Sequence, residues 1–275
     1  MRIRKRLLPE GWYPSDANTA AQELAGFERP SNHNASAVTC LVPHASWYFS
    51  GGIAFRAIQQ LRHDVDCVLV FGGHLGDEAP PLFVESDAFE TPFGPLFRQE
   101  KLLSALKDQI ELRSDSSADN TIEVLLPMVR HAFPTALFLG LRMPAVFTSW
   151  EIGRIIARTA HSLGLACVAI SSSDLTHYGP NYGFEPQGGG IQALDWVRSV
   201  NDRRFLEAVI EGDPKKTLKY ALEDQSACSP GAVLAGMGFA NESGAYKASL
   251  IEYGTSADIR PSASFVGYGS ISWEL

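Results

Sequence analysis

The run Ala166-Cys167-Val168-Ala169-Ile170-Ser171, followed at once by Ser172-Ser173-Asp174-Leu175-Thr176-His177-Tyr178-Gly179, decides how this chain is read. Its first half is short and almost continuously apolar, the pattern of a strand buried on both faces. Its second half places an acid, an imidazole and several hydroxyls just where that strand should end. Three other runs repeat the first half: Ala37–Val42, Cys67–Phe71 and Ala136–Leu141. Helical stretches fall between or after them at Gly52–Leu61, Lys101–Gln109, Trp150–Leu163 and Gln192–Glu211. Strands alternating with helices predict βαβ units. The expected fold is therefore α/β, a single domain over residues 1–275 with a mainly parallel or mixed central β-sheet flanked by helices. Leu250–Tyr253 and Ser264–Trp273 read as two further strands at an edge, and residues 1–35 as a segment wrapping the surface.

Composition narrows the function classes. Of the 275 residues, 45% are hydrophobic and 20% charged, enough to bury a core and too apolar for a disordered chain. Lysine and arginine number 23 against 31 acidic residues, a net charge of −8 that argues against a nucleic-acid binder. The one basic cluster, Arg2, Arg4, Lys5 and Arg6, reads as a solvated tail. No apolar run approaches the roughly eighteen residues of a spanning helix, and the start of the chain has no signal-peptide pattern. Cys40, Cys67, Cys167 and Cys228 are scattered without a C-x-x-C pair, which fits a reducing cytoplasm and no membrane partner. Gly72-Gly73-x-x-Gly76 departs from the G-x-G-x-x-G of dinucleotide sites, and G-x-S-x-G, P-loop and H-E-x-x-H patterns are missing.

The chemistry gathers after the strands. Ala37–Val42 is followed by Pro43-His44-Ala45-Ser46, and Cys67–Phe71 by Gly72-Gly73-His74-Leu75-Gly76-Asp77. With His177, three of the seven histidines thus stand past carboxyl ends of strands, the edge at which open α/β sheets bind ligands. Singly, each has a plainer reading: His44 as a hydrogen-bonded loop residue, His74 as part of a turn, Asp174 as the closure of a turn before His177. Together they point to one shared site. His33, His63, His131 and His161 are given no role. Two neutral imidazoles plus one anionic ligand, with positions left open, suit a substrate-binding iron or a catalytic zinc. Cys228 is a candidate third ligand: Ser229 reads as an N-cap and Pro230 as the first helical residue, so a helix dipole would favour its thiolate. A small residue packed at a loop–helix junction is the competing view. Asp77, Glu78, Glu123 and Asp174 are carboxylates that could ligate instead. Trp47, Tyr48 and Phe49 are either the wall of a planar-substrate pocket or core. Gly183–Gly190 is either a lid or a surface loop. A metal-free alternative is a thiol hydrolase with Cys228 as nucleophile, His177 as base and Asp174 as orienter.

Five motifs in order resemble the Memo family, also called AmmeMemoRadiSam system protein B, which shares its fold with class III extradiol ring-cleaving dioxygenases. They are Val42-Pro43-His44-Ala45-Ser46-Trp47-Tyr48, Gly72-Gly73-His74-Leu75, Thr121-Ile122-Glu123-Val124-Leu125-Leu126-Pro127, Ser172–Gly179, and Cys228 before a late helix. The resemblance implies metal ligation by His44, His74 and Cys228, with His177 and Asp174 beside the metal as catalytic groups and Glu123 facing the same pocket. It implies a divalent metal, iron first and copper or zinc otherwise, and an oxidoreductase acting on a small aromatic substrate. It equally implies a non-catalytic binder of copper, iron or a phosphorylated peptide in the same cleft. Two departures stand out: one histidine follows Gly72-Gly73 where the family usually has two, and Cys228 stands where ring-cleaving enzymes have a carboxylate. Oligomeric state has no signature in the sequence.

Overall fold

The computed structural model describes residues 1–29 and 35–275; His33 and its neighbours in 30–34 lie outside the described residues. In chain order the strands are β1 (Ile3–Arg4), β2 (Ala37–Val42), β3 (Cys67–Leu75), β4 (Leu82–Val84), β5 (Ala88–Phe89), β6 (Leu96–Phe97), β7 (Arg113–Asp115), β8 (Leu137–Pro144), β9 (Cys167–Ser172), β10 (His177–Tyr178), β11 (Lys247–Thr255) and β12 (Phe265–Glu274). Nine of them make one mixed sheet in the order β10-β12-β2-β9-β3-β8-β4-β7, with β11 paired to β12, and β1, β5 and β6 make a small second sheet. The centre, β2-β9-β3-β8, is parallel throughout, while β12 runs antiparallel to β2 and β4 antiparallel to β8.

Both faces of that centre are covered, which is why its strands read as unbroken apolar runs. Successive residues point to opposite sides. Val68 and Val70 join the core formed with helices Ala17–Phe27, Gly52–Ile58 and Leu126–Ala132. Leu69 and Phe71 join the opposite core, formed with helices Thr148–Ser162 and Pro230–Glu242. These last two helices approach closely because Gly153 faces the carbonyl of Ala235, where a Cβ would overlap it. No helix among the described residues is long and apolar enough to cross a membrane.

Several boundaries differ from the sequence reading. Strand β3 does not stop at Phe71 but continues through Gly72 to Leu75, still paired with β8 after a register shift. The expected helix Gln192–Glu211 is two helices, Ile191–Trp196 and Asp202–Ile210, joined by a π-helical turn at Val197–Asn201. Helices Ala17–Phe27 and Pro214–Glu223 come unannounced. The basic N-terminal cluster is not a free tail: Arg2 and Lys5 pair with Glu85 and Glu90, Arg4 lies over Phe89, and Ile3–Arg4 pairs with β5. Of the strand pair at the end of the chain, β11 is longer than expected, and β12 sits inside the sheet rather than at its rim.

Candidate metal centre

Two parallel strands end and one helix begins at the same edge, and each delivers one side chain. His44 follows β2 and is buried, its backbone N–H donating to Asp174 Oδ1 at 2.8 Å. Its Nδ1 lies 2.9 Å from Ser172 Oγ, leaving Nε2 directed at Cys228 Sγ, 3.3 Å away. His74 sits on the extension of β3 in the left-handed region, φ 57°. The two glycines before it are required by close approach: a Cβ on Gly72 would overlap Thr121 Oγ1, and one on Gly73 would overlap the Ser229 side chain. Cys228 lies two residues before helix Pro230–Glu242, with its N–H donating to the Asp174 carbonyl at 3.2 Å. Ser229 occupies the N-cap position but makes no capping bond; its hydroxyl instead lies 3.6 Å from Cys228 Sγ.

One ligand atom from each of His44, His74 and Cys228 lies within 4.8 Å of the other two. An ion bound at the usual ~2.0–2.3 Å from nitrogen and sulfur needs donors roughly 3–4 Å apart, so small rotations suffice. The charges are already arranged for it. Burial opposes ionisation of Cys228, but His44 and His74 outweigh it and hold the thiol well below its ordinary range. Burial also opposes charge on His74, yet Asp119 and Cys228 push its imidazole up to about 10. His44 is raised likewise, against burial, by Asp174 and Cys228. A thiolate facing two imidazoles that hold protons only because of neighbouring anions is a site in which a cation can replace those protons.

Asp174 and His177 stand beside the triad. Asp174 Oδ2 is 3.8 Å from His177 Nε2 and 4.0 Å from His44 Nε2. Burial disfavours the charged form of His177, but Asp174 and the Cys228 thiolate raise its pKa on balance. Its ring stacks on Tyr182 with centroids 5.0 Å apart. His44, His74, Asp174 and His177 all line a cavity of about 760 Å³, walled by Trp12, Phe49, Tyr182, Tyr268 and the segment Ser256–Ser264. Cys228 pairs with His44 rather than His177, so a thiol–imidazole couple here would use His44 as the base, unlike the triad considered from sequence.

Other expectations resolve differently. Glu123 is not on the cavity: its Oε1 accepts from the N–H groups of Leu7 and Leu8, each at 2.8 Å, and from the Tyr13 hydroxyl at 3.2 Å. The part of that motif region reaching the cavity is Asn120, which donates to the His44 carbonyl at 3.1 Å. Asp77 and Glu78 are exposed and outside the triad. Of the aromatic run, Phe49 lines the cavity, Trp47 is buried with its indole N–H on the Val124 carbonyl, and Tyr48 is 65% exposed. No residue of 183–190 lines the cavity; Gly188 and Gln187 are tied to the Tyr178 hydroxyl instead.

The sequence reading missed the residues that hold His74. Asp119 Oδ2 lies 3.3 Å from His74 Nδ1, and Arg142 reaches behind both. Its guanidinium donates to the Gly73 carbonyl at 2.9 Å, to Asp115 at 3.0 Å and to the His74 carbonyl at 3.4 Å, and lies 3.2 Å from Asp119. A buried arginine on β8 next to a strand-end histidine is visible in sequence only once β3 and β8 are known to pair.

A family model described as Memo-like protein matches residues 8–272. The chain belongs to the Memo-like family. It is 28% identical over 280 residues to a MEMO1 family protein of Methanococcoides burtonii, covering 98% of this chain and 99% of that one. A MEMO1 family protein of Pyrococcus furiosus is 27% identical over 288 residues, covering 98% of each. An uncharacterized protein of Escherichia coli K12 of known structure aligns with 84% of this chain and 98% of its own at 13% identity, with a TM-score of 0.47. In this Memo-like chain the motifs noted at His44, His74, Asp174–His177 and Cys228 converge on one place, whereas the Glu123 motif serves the N-terminal segment.

Proposed function

We propose that this Memo-like protein is a metal-dependent oxidoreductase in which His44, His74 and Cys228 hold one divalent ion, iron in the first instance, with copper or zinc as alternatives. The observation carrying this reading is the convergence of the three ligand atoms within 4.8 Å at the wall of an open cavity that also receives His177. Two imidazoles and a thiolate fit such an ion, and three protein ligands leave positions for substrate, as catalytic rather than structural sites do. When bound, the metal would supply a redox-active Lewis acid. The residues supply the rest. Ser172 and Asp119 fix the rings of His44 and His74 through Nδ1, as partners of ligating histidines do. His177, raised by Asp174, would serve as the group that gives a proton to a bound substrate or takes one from it. Phe49, Tyr182 and Tyr268 offer apolar walls to a small aromatic molecule.

The test is metal content by mass spectrometry on protein purified anaerobically without chelator or polyhistidine tag, beside His44→Ala, His74→Ala and Cys228→Ser. Near-stoichiometric iron lost in all three variants, with oxygen uptake on adding catechols, is expected. Absence of metal in the wild type after anaerobic reconstitution sinks the reading. The second reading is a binder of copper, iron or a phosphopeptide without turnover. It draws on the thiolate itself, a softer ligand than a carboxylate and suited to copper. Tight copper binding with no exchangeable position and no oxygen uptake would favour it.

A further inference from the structure

Behind the Asp174–His177 loop, on the side away from the cavity, lies a polar cluster without charge compensation. The π-helical turn Val197–Asn201 inserts an extra residue into the helix, and at its end Asn201 and the following Asp202 are both buried. Asp202 Oδ1 accepts from the Thr176 N–H at 3.0 Å and from the Thr176 hydroxyl. Its Oδ2 accepts from the Tyr253 hydroxyl at 2.8 Å. Asn201 Nδ2 donates to Thr176 Oγ1 and to the Asp224 carbonyl, each at 2.9 Å. The Thr176 carbonyl accepts from Gly267 N–H at 2.9 Å, and Gly267 must lack a Cβ because one would overlap the Asp202 carboxylate. Every polar group of Thr176 is therefore engaged from behind. A carboxylate buried with no cation beside it is expensive, and its three donors offset that cost only if Thr176 stays in place.

We propose that Asn201 and Asp202 are positioning residues that act through Thr176 to hold Asp174 and His177 against the metal ligands. Thr176 is adjacent to His177 and two residues after Asp174, so its three fixed polar groups set the path of the loop between them. Both side chains reach the same Thr176 hydroxyl from the end of the π-helical turn, Asn201 Nδ2 donating to it and Asp202 Oδ1 accepting from it. The functional meaning rests on the proposed role of His177, but the placement itself does not.

The reporter is the ring of His177, which stacks on Tyr182 at 5.0 Å and 20°, a geometry in which the tyrosine ring current should shift its ring protons upfield. Proton NMR on metal-free protein, assigned with His177→Gln, follows that shift in Thr176→Ser and Thr176→Val. Val129→Ala, in the core on the far side of the sheet, serves as a comparator that lowers the melting temperature. Thr176→Ser should keep the upfield shift, Thr176→Val should lose most of it, and Val129→Ala should leave it unchanged. Asp202→Ala should match Thr176→Val; should it fail to fold, the threonine pair still decides. An unchanged His177 shift in Thr176→Val, or an equal loss in Val129→Ala, overturns the proposal. Because no metal is used, a failure of the metal reading leaves this result standing.

Discussion

Replacing Arg142 with methionine keeps the length of the aliphatic stem and removes one cation. Its side chain is 9% exposed and its guanidinium faces Asp115 at 3.0 Å and Asp119 at 3.2 Å. Losing it leaves two buried carboxylates short of a partner, which costs about 3–5 kcal/mol when a buried pair is broken from one side. That corresponds to a fall in melting temperature on the order of 10 °C for a chain of this size. Burial opposes ionisation of both aspartates; Ser117 and Arg142 nonetheless hold Asp115 below the ordinary carboxylate range, and His74, Thr121 and Arg142 do so for Asp119. A depressed carboxyl contributes stability that is complete above its unfolded pKa near 4 and is lost as pH falls through its folded pKa. The gap between wild type and Arg142→Met should therefore be widest near neutrality and close as pH drops below about 4. Because Arg142 also holds the carbonyls of Gly73 and His74, the variant should bind metal about 10–100-fold more weakly. Urea unfolding of metal-free protein from pH 3.5 to 8, with chelator competition for affinity, measures both. A gap that stays constant across that range, or full destabilisation with unchanged metal affinity, would refute the electrostatic account and leave Arg142 a packing residue.

Cys228→Ser should lose metal, and in the metal-free wild type Cys228 should react with iodoacetamide faster than Cys40, whose buried thiol is raised; metal should block the reaction, and a rate indifferent to metal would mean the sulfur is not a ligand. Glu123→Ala removes the acceptor of two backbone N–H groups, so amide exchange at Leu7 and Leu8 should accelerate at a cost of about 1.5–3 kcal/mol per charged bond; unchanged protection would show that the segment is held by other contacts. Burial pushes Asp202 up to about 7 despite its bonds from Thr176 and Tyr253. The folded state thus keeps a proton that the unfolded chain has lost between about pH 4 and 7, and stability should fall with rising pH in that window, by up to about 1.4 kcal/mol per unit. Asp202→Asn should abolish that slope, which urea melts at pH 5 and pH 7 would reveal.

The parallel centre of the sheet was legible because burial on both faces favours apolar residues, and β2, β3, β8 and β9 are all apolar over most of their length. His44, His74 and Cys228 stand at strand ends and one helix start, which are local signals, but their choice as one set came from the family resemblance. What stayed hidden depends on pairing between distant segments. Asp119 and Arg142 look like ordinary charged residues until β3 and β8 are set side by side. Glu123 was misplaced because a motif says that a residue matters, not what it touches. The glycines at 72 and 73 suggested a turn, whereas their small size serves the approach of Thr121 and Ser229 to a continuing strand. The π-helical turn has no period that an apolar pattern could betray.

Much of the wall of the cavity comes from places that supply no ligand atom. Glu10, Gly11 and Trp12 form one side, and Ser256 to Tyr268 much of another, while the three ligand residues hang from the strand ends and the helix of the buried core. Substitutions in the wall can therefore accumulate without disturbing the donors, and a change of donor need not reshape the wall. Selection for a new substrate and selection for a new metal would act on separate stretches of the gene. A library confined to residues 10–12 and 256–264 is consequently the place to retune what the cavity admits while its chemistry is left intact.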